Sequence, residues 1–251
     1  MTASLFGITS VFGLSVGAAA ASFAVVYLGA VVQSTIGIGL GLLAAPVLAL
    51  ADRDFVPAVI VIVVFPLTLM VVAREYRAVD RRGVGLALIG RVPGVAIGAA
   101  AVSIAGPKAL ALLVGGSVLL AVLTSLTKVR FRTTPRALVL AGLASGFAGT
   151  ATGIGGPPMA LTYQHQDPGV MRSTISAFFA VGTVLSIAAL MVSGDLGARQ
   201  WQLSLLVLPA VGLGFLTSQV FARRLRSDRL RPMILVLCSA SAIALLLKEF
   251  L

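Results

Sequence analysis

The sequence predicts an all-α integral membrane protein. About eight to ten transmembrane or half-membrane helices are expected, arranged as two inverted repeats with Gly-rich broken helices. Three observations predict this. Of 251 residues, 59% are hydrophobic and only 11% charged, with a mean hydropathy of +1.07. Soluble domains are roughly half apolar and a quarter charged, so this chain has too few charges to cover a soluble surface. The apolar residues are gathered into long runs. Two Gly-Ile-Gly motifs, Gly37-Ile38-Gly39 and Gly153-Ile154-Gly155, interrupt those runs 116 positions apart.

Lipid-exposed backbone must satisfy its own hydrogen bonds, so the runs read as helices. They cover about 11–33, 39–50, 55–73, 84–104, 109–127, 137–150, 157–162, 170–192, 201–222 and 232–247. A span needs about 20 apolar residues, and five of the runs cross without difficulty. The pieces at 39–50 and 157–162 are short, and each follows a Gly-rich break. No Lys or Arg precedes Arg53. A signal peptide's basic start is therefore missing, and the first run is expected to remain as a span. The whole chain, 1–251, reads as a single transporter domain.

An internal repeat organises the runs. Pro93, Val95 and Gly98 recur as Pro209, Val211 and Gly214 at the shift of the glycine motifs. Leu110 and Lys128 match Leu230 and Lys248 at a shift of 120, as a four-residue insertion near 221–225 would produce. The repeats run over about 12–128 and 137–249. Three basic clusters orient them: Arg74, Arg77, Arg81 and Arg82; Lys128, Arg130, Arg132 and Arg136; Arg223, Arg224, Arg226, Arg229 and Arg231. The positive-inside rule puts all three in the cytoplasm. The segments equivalent to the first and third clusters carry few basic residues. Equivalent loops then face opposite sides, a common construction of secondary transporters, and both termini are expected outside.

The same clusters account for the net charge of +11. No nucleic-acid recognition motif accompanies them, so nucleic acid is not expected as a partner. The one cysteine, Cys238, excludes an intrachain disulfide and a cysteine-based metal cluster. It is expected as a small buried or lipid-facing residue. No metal or cofactor is expected.

The glycine motifs are the main candidates for a site. The first reads Gln33-Ser34-Thr35-Ile36-Gly37-Ile38-Gly39-Leu40-Gly41, with Pro46 following. The second runs from Gly149 to Thr152, then Gly153-Ile154-Gly155-Gly156-Pro157-Pro158. Gly lets the chain leave helical geometry and lets a ligand approach backbone. Pro157 and Pro158 suit a helix restarting after a break. Freed N–H groups at such a start favour an anion. Paired breaks in an inverted repeat therefore point to a substrate site. The alternative is that these glycines only let helices pack closely. The Gly37–Gly41 run is no dinucleotide fingerprint, because the strand–turn–helix context is missing.

The eight acidic residues, Asp52, Asp54, Glu75, Asp80, Asp167, Asp195, Asp228 and Glu249, all fall in loops or at ends. Proton and cation carriers usually place a carboxylate inside the membrane, so an anion or a neutral cargo is expected. Arg91 is the exception among the basic residues. Nine positions beyond Arg82, it lies about 13 Å along its helix. It is either an anion ligand or gate, or a side chain that snorkels to headgroups or pairs with a loop carboxylate. His165 reads as a polar residue at a hairpin mouth. Gln33, Thr35, Thr150, Thr152 and Thr162 can supply neutral donors, although membrane Thr often bonds back to its own helix. The expected site is Gln33, Thr35, Gly37, Gly39, Arg91, Thr152, Gly153, Gly155, Gly156 and Pro157.

The two motifs, above all Gly146-Phe147-Ala148-Gly149 running into Gly153-Ile154-Gly155-Gly156-Pro157-Pro158, resemble those of the TauE/SafE sulfite-exporter family over roughly residues 22–250. The first motif departs from the fuller glycine run usual there, since Leu40 interrupts it. The resemblance implies a permease of the bacterial inner membrane for sulfite, an organosulfonate or a related sulfur-containing anion. Coupling to protons or another ion, and a homo-oligomer, are compatible with it. The alternatives are a carrier of another small organic anion and a non-transport structural subunit. An intramembrane enzyme is disfavoured, because His165 has no carboxylate neighbour in sequence and Gly-x-Ser-x-Gly does not occur.

Overall fold

The computed structural model describes residues 10–126, 133–221 and 227–250. A two-residue antiparallel hairpin, β1 (Ser10–Val11) and β2 (Leu14–Ser15), opens the described chain. Ten α-helices follow. The first five are α1 (Val16–Ile36), α2 (Leu40–Ala51), α3 (Ala58–Glu75), α4 (Arg81–Ile104) and α5 (Pro107–Leu126). The second five are α6 (Pro135–Thr152), α7 (Gly156–Tyr163), α8 (Pro168–Val192), α9 (Ala198–Phe221) and α10 (Ser227–Phe250). The expected ten runs and both short pieces are present. Six segments among the described residues, rather than the expected five, are long and apolar enough to cross a membrane. The two basic segments at 127–132 and 222–226, with Lys128, Arg130, Arg132, Arg223, Arg224 and Arg226, lie outside the described residues.

Side-chain contacts fix two ends. At one, Arg199 donates to the Phe12 carbonyl and to Asp52 at 2.7 Å, while Lys248 Nζ donates to Leu50 O at 3.1 Å. At the other, Tyr163 Oη donates to Asp80 at 2.8 Å, and Thr133 Oγ1 to the Thr162 carbonyl at 2.6 Å. The 18-residue α3 separates these ends by about 27 Å. The acidic residues with described surroundings stay at such ends. Asp52, Asp80 and Asp167 cap the helical turns that follow them.

A glycine seam holds α4 against α6, which run in parallel. Gly90, Gly94 and Gly98 are spaced by four, as are Gly142 and Gly146. A Cβ on Gly90 or Gly94 would overlap the carbonyl of Val139 or Leu143, and one on Gly142 the carbonyl of Ala87. Small residues at this spacing let backbones approach in lipid, where packing replaces the hydrophobic effect as the force between helices. The seam fixes Arg91, on α4, beside the break that ends α6.

Candidate substrate site

Both glycine motifs break the helix as their composition requires. Gly37 closes α1 at φ 99° and donates its N–H to Gln33 O at 2.7 Å. Gly153 closes α6 at φ 77°, donating to Gly149 O at 3.1 Å. These left-handed caps cost a Cβ-bearing residue about 1–2 kcal/mol. The first turn of α2 then restarts at Leu40, whose N–H donates to Gln33 Oε1 at 3.1 Å across the break. The short α7 restarts at Gly156, with Pro157 and Pro158 in its first turn. Prolines carry no N–H, so α7 spends its first turn without two of the amides that a helix start normally leaves unpaired.

The two breaks touch. A Cβ on Gly41 would overlap the Gly153 carbonyl oxygen, and Gly156 lies against Ile38. Around this contact is a cavity of about 30 Å³. On the same measure one water needs about 10–15 Å³, so the cavity accepts two or three waters or one small oxyanion. Gln33, Gly39, Arg91, Gly153, Gly155 and Gly156 from the expected set line it, with Gly41, Gly149, Phe179 and Thr183.

Arg91 is only 1% exposed. It neither snorkels nor takes part in any ion pair found among the described residues. Its Nη1 donates to Ser145 Oγ at 3.3 Å, and Ser145 Oγ donates to Gly155 O at 2.6 Å, which ties the guanidinium to the second break. The guanidinium carbon lies 4.7 Å from the Phe178 ring centre and 5.4 Å from that of Phe179. Such contacts are worth about 2 kcal/mol or more when desolvated. Arg91 Nε has no partner, nor has Gln33 Nε2. Leaving a buried donor unmade costs about 1–3 kcal/mol, more when it is charged. Arg91 and Gln33, each with one unpartnered donor, thus stand in the lining of one cavity, whose other walls are glycine backbone and apolar side chains such as Ile38, Val61, Val64 and Ile154.

Four expected residues stand outside the cavity lining. Thr35 and Thr152 bond back to Val31 O and Ala148 O, each at 2.7 Å. Gly37 packs against Arg172, and Pro157 serves the start of α7. His165 is exposed at the turn after α7, and Cys238 is buried and free. Thr150 pairs with Ser186 at 2.8 Å, and Thr162 bonds back to Met159 O. Among the described residues no group of three or more His, Cys, Asp or Glu is placed to hold a metal.

Sequence reasoning missed the α8 contribution. Phe178, Phe179 and Gly182 lie against Arg91, Thr183 lines the same cavity, and a Cβ on Gly182 would overlap the guanidinium. Its one signal in sequence was a Gly one helical turn after paired Phe, in the middle of the helix.

No curated protein and no solved structure matches the chain. A family model does match, that of the sulfite exporter TauE/SafE, over residues 21–245. That span takes in both breaks, Arg91 and the α8 wall, and six helices fit to cross a bilayer accompany it. The chain is therefore a multi-pass membrane transporter rather than an enzyme, and it belongs to the sulfite exporter TauE/SafE family.

Proposed function

We propose that this transporter carries a small sulfur oxyanion, sulfite first, bound between the two helix breaks. The observation that carries this reading is the cavity where the breaks meet, whose lining includes Arg91 and Gln33, two side chains that each keep one donor without a partner. Sulfite offers only acceptors at neutral pH apart from a fraction of bound proton. Its size suits a cavity of about 30 Å³ better than an organosulfonate with a carbon chain. Amides at the start of α2 add donors, and the helix dipole favours negative charge there. The sulfur chemistry itself comes from the family.

The two halves act as inverted repeats of one domain. In support, the ends of α1, α3 and α4 at Ile36, Glu75 and Ile104 recur 116 or 117 positions later at Thr152, Val192 and Phe221. The chain enters α1 at the Arg199 end and α6 at the Asp80 end. Arg74, Arg77, Arg81, Arg82 and Arg136 gather toward the Asp80 end, which we assign to the cytoplasm of a bacterial inner membrane. Proteoliposome flux with sulfite, thiosulfate, sulfonates and carboxylates, with and without a pH gradient, tests the assignment. Sulfite flux that exceeds the others supports it. Equal flux of a simple carboxylate moves the reading to a general organic-anion carrier.

A further inference from the structure

We propose that Arg74 and Arg172 form a second anion station at the Asp80-end mouth of the site, and that Glu75 occupies it and holds it closed. This rests on the anion-carrier reading above. It uses residues that lie outside the central cavity.

Glu75 is held as a bound anion would be. Arg172 Nε lies 3.0 and 2.8 Å from its two carboxylate oxygens, and Arg74 Nε lies 3.0 Å from Oε1. Two cations to one carboxylate leave a positive excess. The three side chains are 17–25% exposed, so the cluster is reached by water but not dissolved in it. Such a pair of guanidinium groups recognises planar or trigonal oxyanions by the geometry it uses for the carboxylate.

The cluster also grips the first break. Arg74 Nη2 donates to Ser34 O at 2.7 Å and Arg172 Nη1 to Thr35 O at 3.0 Å. Those carbonyls belong to the last turn of α1, where cations are favoured. The position of a Gly37 Cβ lies 3.0 Å from Arg172 Cα. Releasing Glu75 therefore loosens the contacts that hold the α1 end against α8.

A polar strip joins the station to the cavity. Arg172, Ser176, Phe179 and Thr183 follow one another at spacings of four, three and four, on one face of α8. Phe179 and Thr183 line the cavity. Ser176 Oγ, between them and Arg172, is buried with no partner, and so is Ser34 Oγ on α1. Buried hydroxyls are nearly always satisfied by protein or water. These two unpartnered hydroxyls, on the helices that run from the charged cluster to the cavity, mark the path of the anion in this proposal. An arriving or leaving anion competes with Glu75 for Arg172 and Arg74.

The test is thiol accessibility at Ser176→Cys, in a chain whose lone Cys238 is replaced by Ser. Labelling is compared for methanethiosulfonate reagents carrying a sulfonate or a trimethylammonium group. Glu75→Gln should raise the sulfonate-to-ammonium rate ratio at least about fivefold, the scale of one partly exposed ion pair. The ratio cancels any change in the reactivity of the thiol itself. Sulfate added to the chain with Glu75 intact should lower the same ratio against gluconate at equal ionic strength, because it occupies the two arginines in place of the sulfonate reagent, and this gives the reading even if Glu75→Gln does not fold. A ratio unmoved by sulfate, or by Glu75→Gln in monodisperse protein, overturns the station. Equal acceleration of both reagents overturns it too, since that is mere loosening. Radiolabelled sulfite binding on the same samples judges the cargo separately. A raised ratio with no sulfite binding keeps the station and removes the sulfite reading.

Discussion

Arg91 lies against Gly182. The α8 backbone at Gly182 comes so close that a Cβ would overlap the guanidinium, while Phe178 and Phe179, one turn earlier, face the charge. A side chain at 182 must move Arg91 or push α8 from α4. Gly182→Ala should weaken sulfite binding about tenfold, from loss of one charge-assisted contact worth roughly 1.5 kcal/mol. Gly85→Ala is the control, because nothing lies within 4 Å of its added methyl. That change should leave binding alone and raise stability slightly, as Ala favours helix. Equal effects of the two on binding would remove Gly182 from the site.

Arg91 should not be replaceable by Lys. Its contacts are two ring faces and a hydrogen bond to Ser145 from a specific arm, and a planar guanidinium makes these where an ammonium does not. Both Arg91→Lys and Arg91→Gln should lose most sulfite flux at similar membrane levels. Arg91→Gln removes the buried charge and should not lower thermal stability by more than about 1–2 kcal/mol, with Gln still able to reach polar partners. Normal flux in Arg91→Gln would make the residue purely structural.

The breaks were legible because Gly-Ile-Gly inside an apolar run has few other uses, and the duplicated motif said that they belong together. Arg91 was legible from its distance past Arg82. The role of each flanking Thr was not. Thr35 and Thr152 satisfy themselves on the preceding turn, a choice that sequence presents but does not decide. The glycine seam between α4 and α6 was also hidden. Its residues 90, 94, 98, 142 and 146 carry the four-residue spacing, yet in a chain with 27 glycines spacing alone does not say which glycines pack and which line a cavity. The Arg74–Glu75–Arg172 cluster joins residues 97 positions apart, so only the folded chain brings it together.

Gln33 carries two separable groups. Its Oε1 caps α2 at Leu40, and its Nε2 is the free donor. Gln33→Glu keeps an acceptor for the cap and puts negative charge beside the cavity. It should abolish sulfite binding near neutral pH while the fold persists. Gln33→Leu removes both groups, and should also lower thermal stability by about 1 kcal/mol, the scale of a lost N-terminal cap. Isothermal binding and thermal melts on the two variants check the split. Full binding by Gln33→Glu would place the anion elsewhere.

The proposed topology makes Arg77 and Gln200 face opposite sides. Arg77 follows α3 at the Asp80 end, and Gln200 donor and acceptor groups sit at the Arg199 end, where its Oε1 accepts from Gly197 N at 2.9 Å. In whole cells, a cysteine at Gln200 should react with an impermeant maleimide, and one at Arg77 should react only after permeabilisation. Cys238 is replaced in both. Labelling of both positions from outside would contradict the assignment of the basic end to the cytoplasm and the inverted arrangement built on it.

The contact between breaks gives the most direct test of where the anion sits. Gly41 rests on the Gly153 carbonyl with no room for a Cβ, so Gly41→Ala must part the two breaks. Gly155→Ala acts differently. Its methyl would lie 2.9 Å from Ser145 O and 3.1 Å from Ser145 Oγ. It therefore disturbs the hydroxyl that receives Arg91 while leaving the Gly41–Gly153 contact in place. If the glycines serve packing alone, both changes should lower stability, by roughly 1–3 kcal/mol for overpacking, and folded protein should bind normally. The same loss of stability is expected if the anion sits between the breaks, but folded, monodisperse Gly155→Ala should then bind sulfite about tenfold or more weakly, and Gly155→Val should not transport. Unchanged affinity in that folded Gly155→Ala sample, or an anion located far from Gly41 and Gly153 in a structure, would refute the site.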